Sequence, residues 1–111
     1  MTMPRPQEES YVHKTVGDFA PKIVELTDEV LFGDIWEREQ LSPRDRSLIT
    51  VSSLITGGNV EQLPFHLKKA KENGISQQEL VEVITHLTFY AGWPKAMSAI
   101  RVARELFEKE E

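Results

Sequence analysis

Apolar residues return along this chain at the three- and four-residue spacing of amphipathic helices. Val16, Phe19, Ile23, Leu26 and Val30 form the first stripe, Leu31 closes it, and together they predict a helix from Thr15. Pro21 belongs in or just before a first turn, because proline lacks the N–H that a helix interior needs. The stretch Leu31-Phe32-Gly33-Asp34-Ile35-Trp36 sets bulky residues around a glycine and predicts a short helical turn or bend. A second helix opens with Ser42 as N-cap, Pro43 at the first position and Asp45 facing the positive end of the dipole. It runs through Leu48, Ile49, Val51, Leu54 and Ile55 and stops at Gly57-Gly58. Small polar residues on its other faces (Ser47, Thr50, Ser52, Ser53) suggest a helix with neighbours all round. Asn59 is expected to cap a third helix from Val60 to about Asn73, with Leu63, Leu67 and Ala70 inward and Pro64 disturbing its first turn. Ser76 and Glu79 have the spacing of a capping box for a fourth helix. Leu80, Val83, Ile84, Leu87 and Tyr90 form the stripe of that helix. Gly92 ends it, and Pro94 starts a fifth with Met97, Ile100, Ala103, Leu106 and Phe107 apolar. No strand-like alternation competes, so the expected class is all-α, with short loops that favour antiparallel neighbours.

Length sharpens this picture. At 111 residues the chain is one domain by size. Residues 1–14, with Pro4 and Pro6, are expected to form a loose polar arm, and residues 15–111 the domain. A domain this small buries limited apolar surface, and association would bury more. The net charge of −5 argues against a nucleic-acid partner and against docking on anionic lipid. The absence of cysteine excludes disulfides, thiolate metal sites and thiol redox chemistry on this chain. Neither a signal-peptide pattern nor an apolar run of about 18 residues is present, so a cytoplasmic protein is expected.

Three blocks then carry a resemblance. The first is Phe32-Gly33-Asp34-Ile35-Trp36 followed by Leu41-Ser42-Pro43-Arg44-Asp45-Arg46-Ser47-Leu48-Ile49-Thr50. The second is Leu63-Pro64-Phe65-His66 through Ala70 to Asn73-Gly74-Ile75-Ser76. The third is Tyr90-Ala91-Gly92-Trp93-Pro94-Lys95-Ala96. In this order and spacing the chain resembles the carboxymuconolactone decarboxylase family, which shares its fold with the alkylhydroperoxidase D-like proteins. The resemblance implies an all-helical fold built on an antiparallel helix pair, assembled as a homotrimer or homohexamer. In the redox branch of that fold, the positions of a glutamate, two cysteines and a histidine would fall at Ser47, Asn59, Gln62 and His66. Only the histidine is kept, so thiol peroxidase activity is not expected. The Ser42–Ser47 block is similar instead to the decarboxylase branch, which acts without a cofactor on a carboxylated lactone of aromatic catabolism. Trp93 departs from that branch, where a smaller residue is usual.

The candidate residues follow. His66 is the expected catalytic group, since an imidazole can hold or release a proton near neutral pH. Gln62 lies one turn earlier on the same face. Arg46 is a candidate to bind a substrate carboxylate, against an internal ion pair to Glu61, Glu79 or Glu82. Glu61 is a candidate proton partner of His66, against a plain surface carboxylate. Tyr90 and Trp93 are candidate pocket walls, with Trp36, against packing in a core or subunit interface. Arg44 and His13 are expected to be solvated, and His86 to make a polar contact between helices. The charged runs Lys68-Lys69-Lys71-Glu72 and Arg104 to Glu111 are expected to be solvated faces. No metal and no cofactor are expected. The expected activity is that of a cofactor-free lyase on a small carboxylated lactone or related acid. The alternative is a non-enzymatic oligomeric binding protein of the same fold.

Overall fold

The computed structural model describes residues 16–110. The arm expected over residues 1–14, His13 with it, lies outside the described residues. The chain divides into two compact units between Pro43 and Arg44.

In the first unit, α1 spans Pro21–Glu25 and continues as a π-helical stretch, Leu26–Phe32, followed by a 3-10 turn at Ile35–Glu37. The helix expected from Thr15 is interrupted: Val16 is helical, residues 17–19 form a turn, and a helix starts again at Pro21. A residue before proline is pushed out of the helical region, and Ala20 accordingly sits at φ −134°, ψ 71°. Phe32 is buried and stacks on Trp36 with ring centroids 6.0 Å apart. The rest of the apolar stripe faces outward: Ile23, Leu26, Val30 and Leu31 are exposed, and Phe19 is 93% exposed.

The second unit holds four helices: α2 (Pro43–Gly57), α3 (Leu63–Glu72), α4 (Gln77–Ala91) and α5 (Trp93–Lys109). α2 ends as the glycine pair predicts, but Asn59 belongs to that ending rather than to the next beginning. The Gly58 N–H donates to the Ile55 carbonyl at 3.1 Å and the Asn59 N–H to the Leu54 carbonyl at 2.9 Å. This is the hydrogen-bond pair of a Schellman motif, which uses up the carbonyls a helix end leaves open. The third helix therefore begins at Leu63, three residues later than Asn59 and Val60 suggest, with Pro64 in its first turn, where proline is tolerated. The same motif closes α3, through Gly74 to Lys71 and Ile75 to Ala70, and Ile75 is driven into the core. The capping box of α4 forms as expected: Glu79 N–H donates to Ser76 Oγ, and Ser76 N–H to the Glu79 carboxylate. Between α4 and α5 stands one residue, Gly92, at φ +108°. A side chain is strained in that region.

One core serves all four helices. It joins Val51 and Ile55 of α2, Leu63, Leu67 and Ala70 of α3, and Leu80 and Ile84 of α4 with Ala96, Ala99, Ala103 and Phe107 of α5. The alanines at 96, 99 and 103 present little bulk, which lets α5 pack closely on α4 and α3. Tyr90 does not continue the α4 stripe inward; it is 77% exposed. No helix among the described residues is long and apolar enough to cross a membrane. The class is all-α, as the pattern predicts.

Candidate active site

α3 buries more than its apolar positions. Gln62, His66, Lys69 and Asn73 follow one another at spacings of four, three and four residues, so they share one face of the helix. That face is polar and largely withdrawn from solvent: Gln62, His66 and Asn73 are half-buried, and Lys69 is only 2% exposed. The stripe is tied to α2 at its far end, where Asn73 Nδ2 donates to Ser47 Oγ at 3.0 Å. Ser47 is fully buried. A carboxylate at this position would need countercharge or several donors to be stable there; the serine hydroxyl accepts the amide of Asn73 instead.

His66 sits in the first turn of α3, its N–H directed at the Gln62 carbonyl at 3.5 Å. Its imidazole meets the Phe65 ring edge-on at 4.9 Å between centroids. Burial, and then the positive charge of Lys69, lower its pKa from 6.5 to about 4. Both causes act against the charged form, so the imidazole is neutral at neutral pH. The Lys69 ammonium lies 6.0 Å from the centroid of Phe65. Lys69 is the functional candidate that a reading of composition misses. It lies inside a charged run that looks solvated, and the clue is its spacing: three residues past His66 and four before Asn73, while Lys68 points out to solvent.

The other candidates are spread more widely. Arg46 neighbours Ser47 on α2 and is half-buried, and its carbonyl accepts the Thr50 hydroxyl at 2.7 Å. Glu61 is exposed in the turn before α3. Tyr90 and Trp93 stand on the outer side of α4 and α5. Tyr90 packs on His86 with centroids 5.0 Å apart, and Trp93 meets Phe89 edge-on at 5.8 Å. Trp93 is 60% exposed. His86 does not bridge helices. It is exposed, and its neighbours Thr85 and Thr88 return their hydroxyls to the Val81 and Ile84 carbonyls of their own helix. Arg44 is not free in solvent either: its guanidinium pairs with Glu79. Glu79 thus serves two partners, and the Ser76 N–H, joined by Arg44, holds its carboxyl below the usual carboxylate range against the opposing effect of burial. This pair and His86 line an open groove of about 490 Å³ floored by Leu48, Ile75, Val83 and Leu87.

Residues 21–105 match the carboxymuconolactone decarboxylase family. The match begins at Pro21, where α1 begins, and ends inside α5, so it takes in both units. The chain belongs to this family. The 4-carboxymuconolactone decarboxylase of Acinetobacter baylyi is 32% identical over 95 residues, which cover 86% of this chain and 71% of that relative. A nitrosuccinic acid decarboxylase of Metarhizium robertsii is 31% identical over 81 residues, 73% of this chain and 57% of its own length. An uncharacterised 15.0 kDa protein of Paracoccus denitrificans is 24% identical over 108 residues, 96% of this chain and 81% of its own length. Within the family this member has no cysteine, and its α3 carries the half-buried histidine beside a buried lysine.

Proposed function

We propose that this protein is a decarboxylase of a small carboxylated lactone or a related acid, with His66 as the proton donor. The observation that carries the reading is the polar stripe of α3, where a half-buried imidazole shares a helix face with a buried ammonium. Two relatives named as decarboxylases add weight.

The chemistry asks little else of the protein. The C–C bond to the leaving carboxylate breaks, its electron pair stays on carbon in conjugation with the lactone carbonyl, and carbon dioxide departs. His66, neutral in the free site, takes up a proton as the acid binds and gives it to the carbanion, and solvent supplies the next proton for the following turnover. Because the substrate itself delocalises the electron pair, the reaction needs no cofactor as electron sink. Gln62, one turn before His66, is the donor assigned to the developing negative charge, and Arg46 to a carboxylate. Glu61 takes a place at the rim. Tyr90 and Trp93 become pocket walls where the outer side of α4 and α5 contributes to the site. Exposed aromatic residues there, and the exposed stripe of the first unit, support a homo-oligomer, since apolar surface of this kind usually marks an interface.

Incubation with 4-carboxymuconolactone, followed by loss of its ultraviolet absorbance and release of carbon dioxide, tests the reading. His66→Ala should lower kcat by about a hundredfold or more, the usual weight of a positioned acid. Equal turnover by the wild type and His66→Ala, or none by the wild type, sinks it; the second result would leave the binding-protein reading in its place.

A further inference from the structure

We propose that the outer groove between α4 and α5 of one copy receives the first helix of a second copy, seated through Ile23, Leu26 and Val30. The inference concerns assembly and stands whether or not the protein decarboxylates a lactone.

α4 and α5, joined by Gly92 alone, pack along one another. Two apolar hollows open on their outer side and meet at Ile100. One, of about 280 Å³, is walled by Thr88, Phe89, Trp93 and Met97. The other, of about 400 Å³, is walled by Val81, Ala103 and Phe107, with Arg104 and Glu108 beside them. Between Gln77 and Phe89 the groove follows α4 for about 18 Å at a helical rise. Its hydroxyls are already engaged: Thr85 donates to the Val81 carbonyl at 2.9 Å, and Thr88 to the Ile84 carbonyl at 3.0 Å. Covering them strands no donor, so this surface can lose its water at little polar cost.

A second surface of the chain has the complementary form. Ile23, Leu26 and Val30 recur at three and four residues, the anchor spacing of a helix that lies in an apolar groove. All three are exposed, with Leu31 beside them. From Ile23 to Leu31 the stripe measures about 12 Å at a helical rise, so the groove holds it lengthwise. The exposed apolar side chains of stripe and groove together approach the roughly 1,000 Å² of a specific interface.

Charge favours this pairing over groove against groove. From Trp93 to Arg104, α5 carries Lys95, Arg101 and Arg104 and no acid. Arg101 follows Ile100 in sequence, and Arg104 lines the groove. Two such grooves face to face would crowd like charges. The helical stretch over residues 21–32 has the opposite balance: Glu25, Asp28 and Glu29 against Lys22, which is bound to Glu25 at 2.7 Å. Glu29, exposed beside Val30, is the acid that Arg101 meets in the docked pair. Because stripe and groove differ, the contact is heterologous: each copy gives one helix and receives one, in a reciprocal pair or a closed ring.

The absence of cysteine makes the contact easy to trap. Chains carrying Ile23→Cys and chains carrying Met97→Cys are mixed in urea, refolded together and oxidised, and the linked species are identified by mass spectrometry. The mixed disulfide should exceed by about tenfold or more the yield of Ile23→Cys with Glu72→Cys, an exposed site at the end of α3. Glu29→Lys on the first chain should cut that yield severalfold, and Arg101→Glu on the second should restore it. No link above the control overturns the proposal, as does a yield that neither charge change moves. A chain bearing both cysteines that links only within itself overturns it too, by seating the stripe on its own groove. So do Met97→Cys chains that link only to one another, which would pair groove with groove.

Discussion

The inner face of α3 and the outer face of α4 and α5 break the same rule in opposite directions. On α3, Lys69 and its polar neighbours are withdrawn where apolar residues would be cheaper. On α4 and α5, Phe89, Tyr90, Trp93 and Met97 stand in solvent where polar residues would be ordinary. The two histidines record the contrast. His66 lies in the first environment, with its proton affinity lowered; His86 lies in the second, exposed and packed on Tyr90. The first departure is a polar stripe that the protein itself must satisfy, as Asn73 and Ser47 do for each other; the second is apolar surface of the kind that usually marks an interface.

The largest effect expected from this contrast concerns acid. The unfolded chain binds a proton at His66 as pH falls through 6.5, while the folded site resists until about 4. Stability from this group is therefore fully present above 6.5 and lost as pH falls toward 4. The loss approaches about 3 kcal/mol once both states are protonated. Urea melts at pH 7 and pH 4.5 should show a smaller drop for His66→Gln than for the wild type. An equal drop would mean that the imidazole is not withdrawn as described.

The outer face should respond in association rather than in folding. Replacing Phe89 and Trp93 together with serine should change the fold's stability by no more than about 1 kcal/mol, as for other exposed sites, while lowering the particle mass measured by light scattering. An unchanged mass would place the self-contact elsewhere. The smallest effect belongs to Arg44. Its pair with Glu79 is about half exposed on both sides, and such pairs contribute little to stability. Arg44→Met should cost no more than that, and less in high salt. A larger loss would show that the groove beside His86 carries structure that the exposure of this pair does not suggest.

Much of the fold is legible in the sequence because its signals are local. The capping box at Ser76 and Glu79, the stop at Gly92 and the restart at Pro94 each act within a few residues, and each forms as its chemistry requires. The start of α3 is harder to read because Asn59 is a good cap and also a good helix-closing residue; the two Schellman hydrogen bonds settle its role, and only three-dimensional structure displays them. The position of His66 on a helix face with Gln62 is readable from spacing. Lys69 is not, since charge predicts solvent more strongly than a spacing of three predicts burial. Tyr90 and Trp93 follow the apolar pattern but not the burial that pattern implies, because a sequence records that a residue wants cover without saying which chain supplies it.

Gly92 has a mechanical consequence. A linker of several residues would absorb a displacement of either neighbouring helix. Here a single residue joins Ala91 to Trp93, with Phe89 and Trp93 in edge-to-face contact across the joint. With so short a joint, neither helix can shift along the other without disturbing the contacts between them. Just past the aromatic end, Ala96 and Ala99 lie in the shared core, so the same packing runs on to α3, the helix that carries His66 and Lys69.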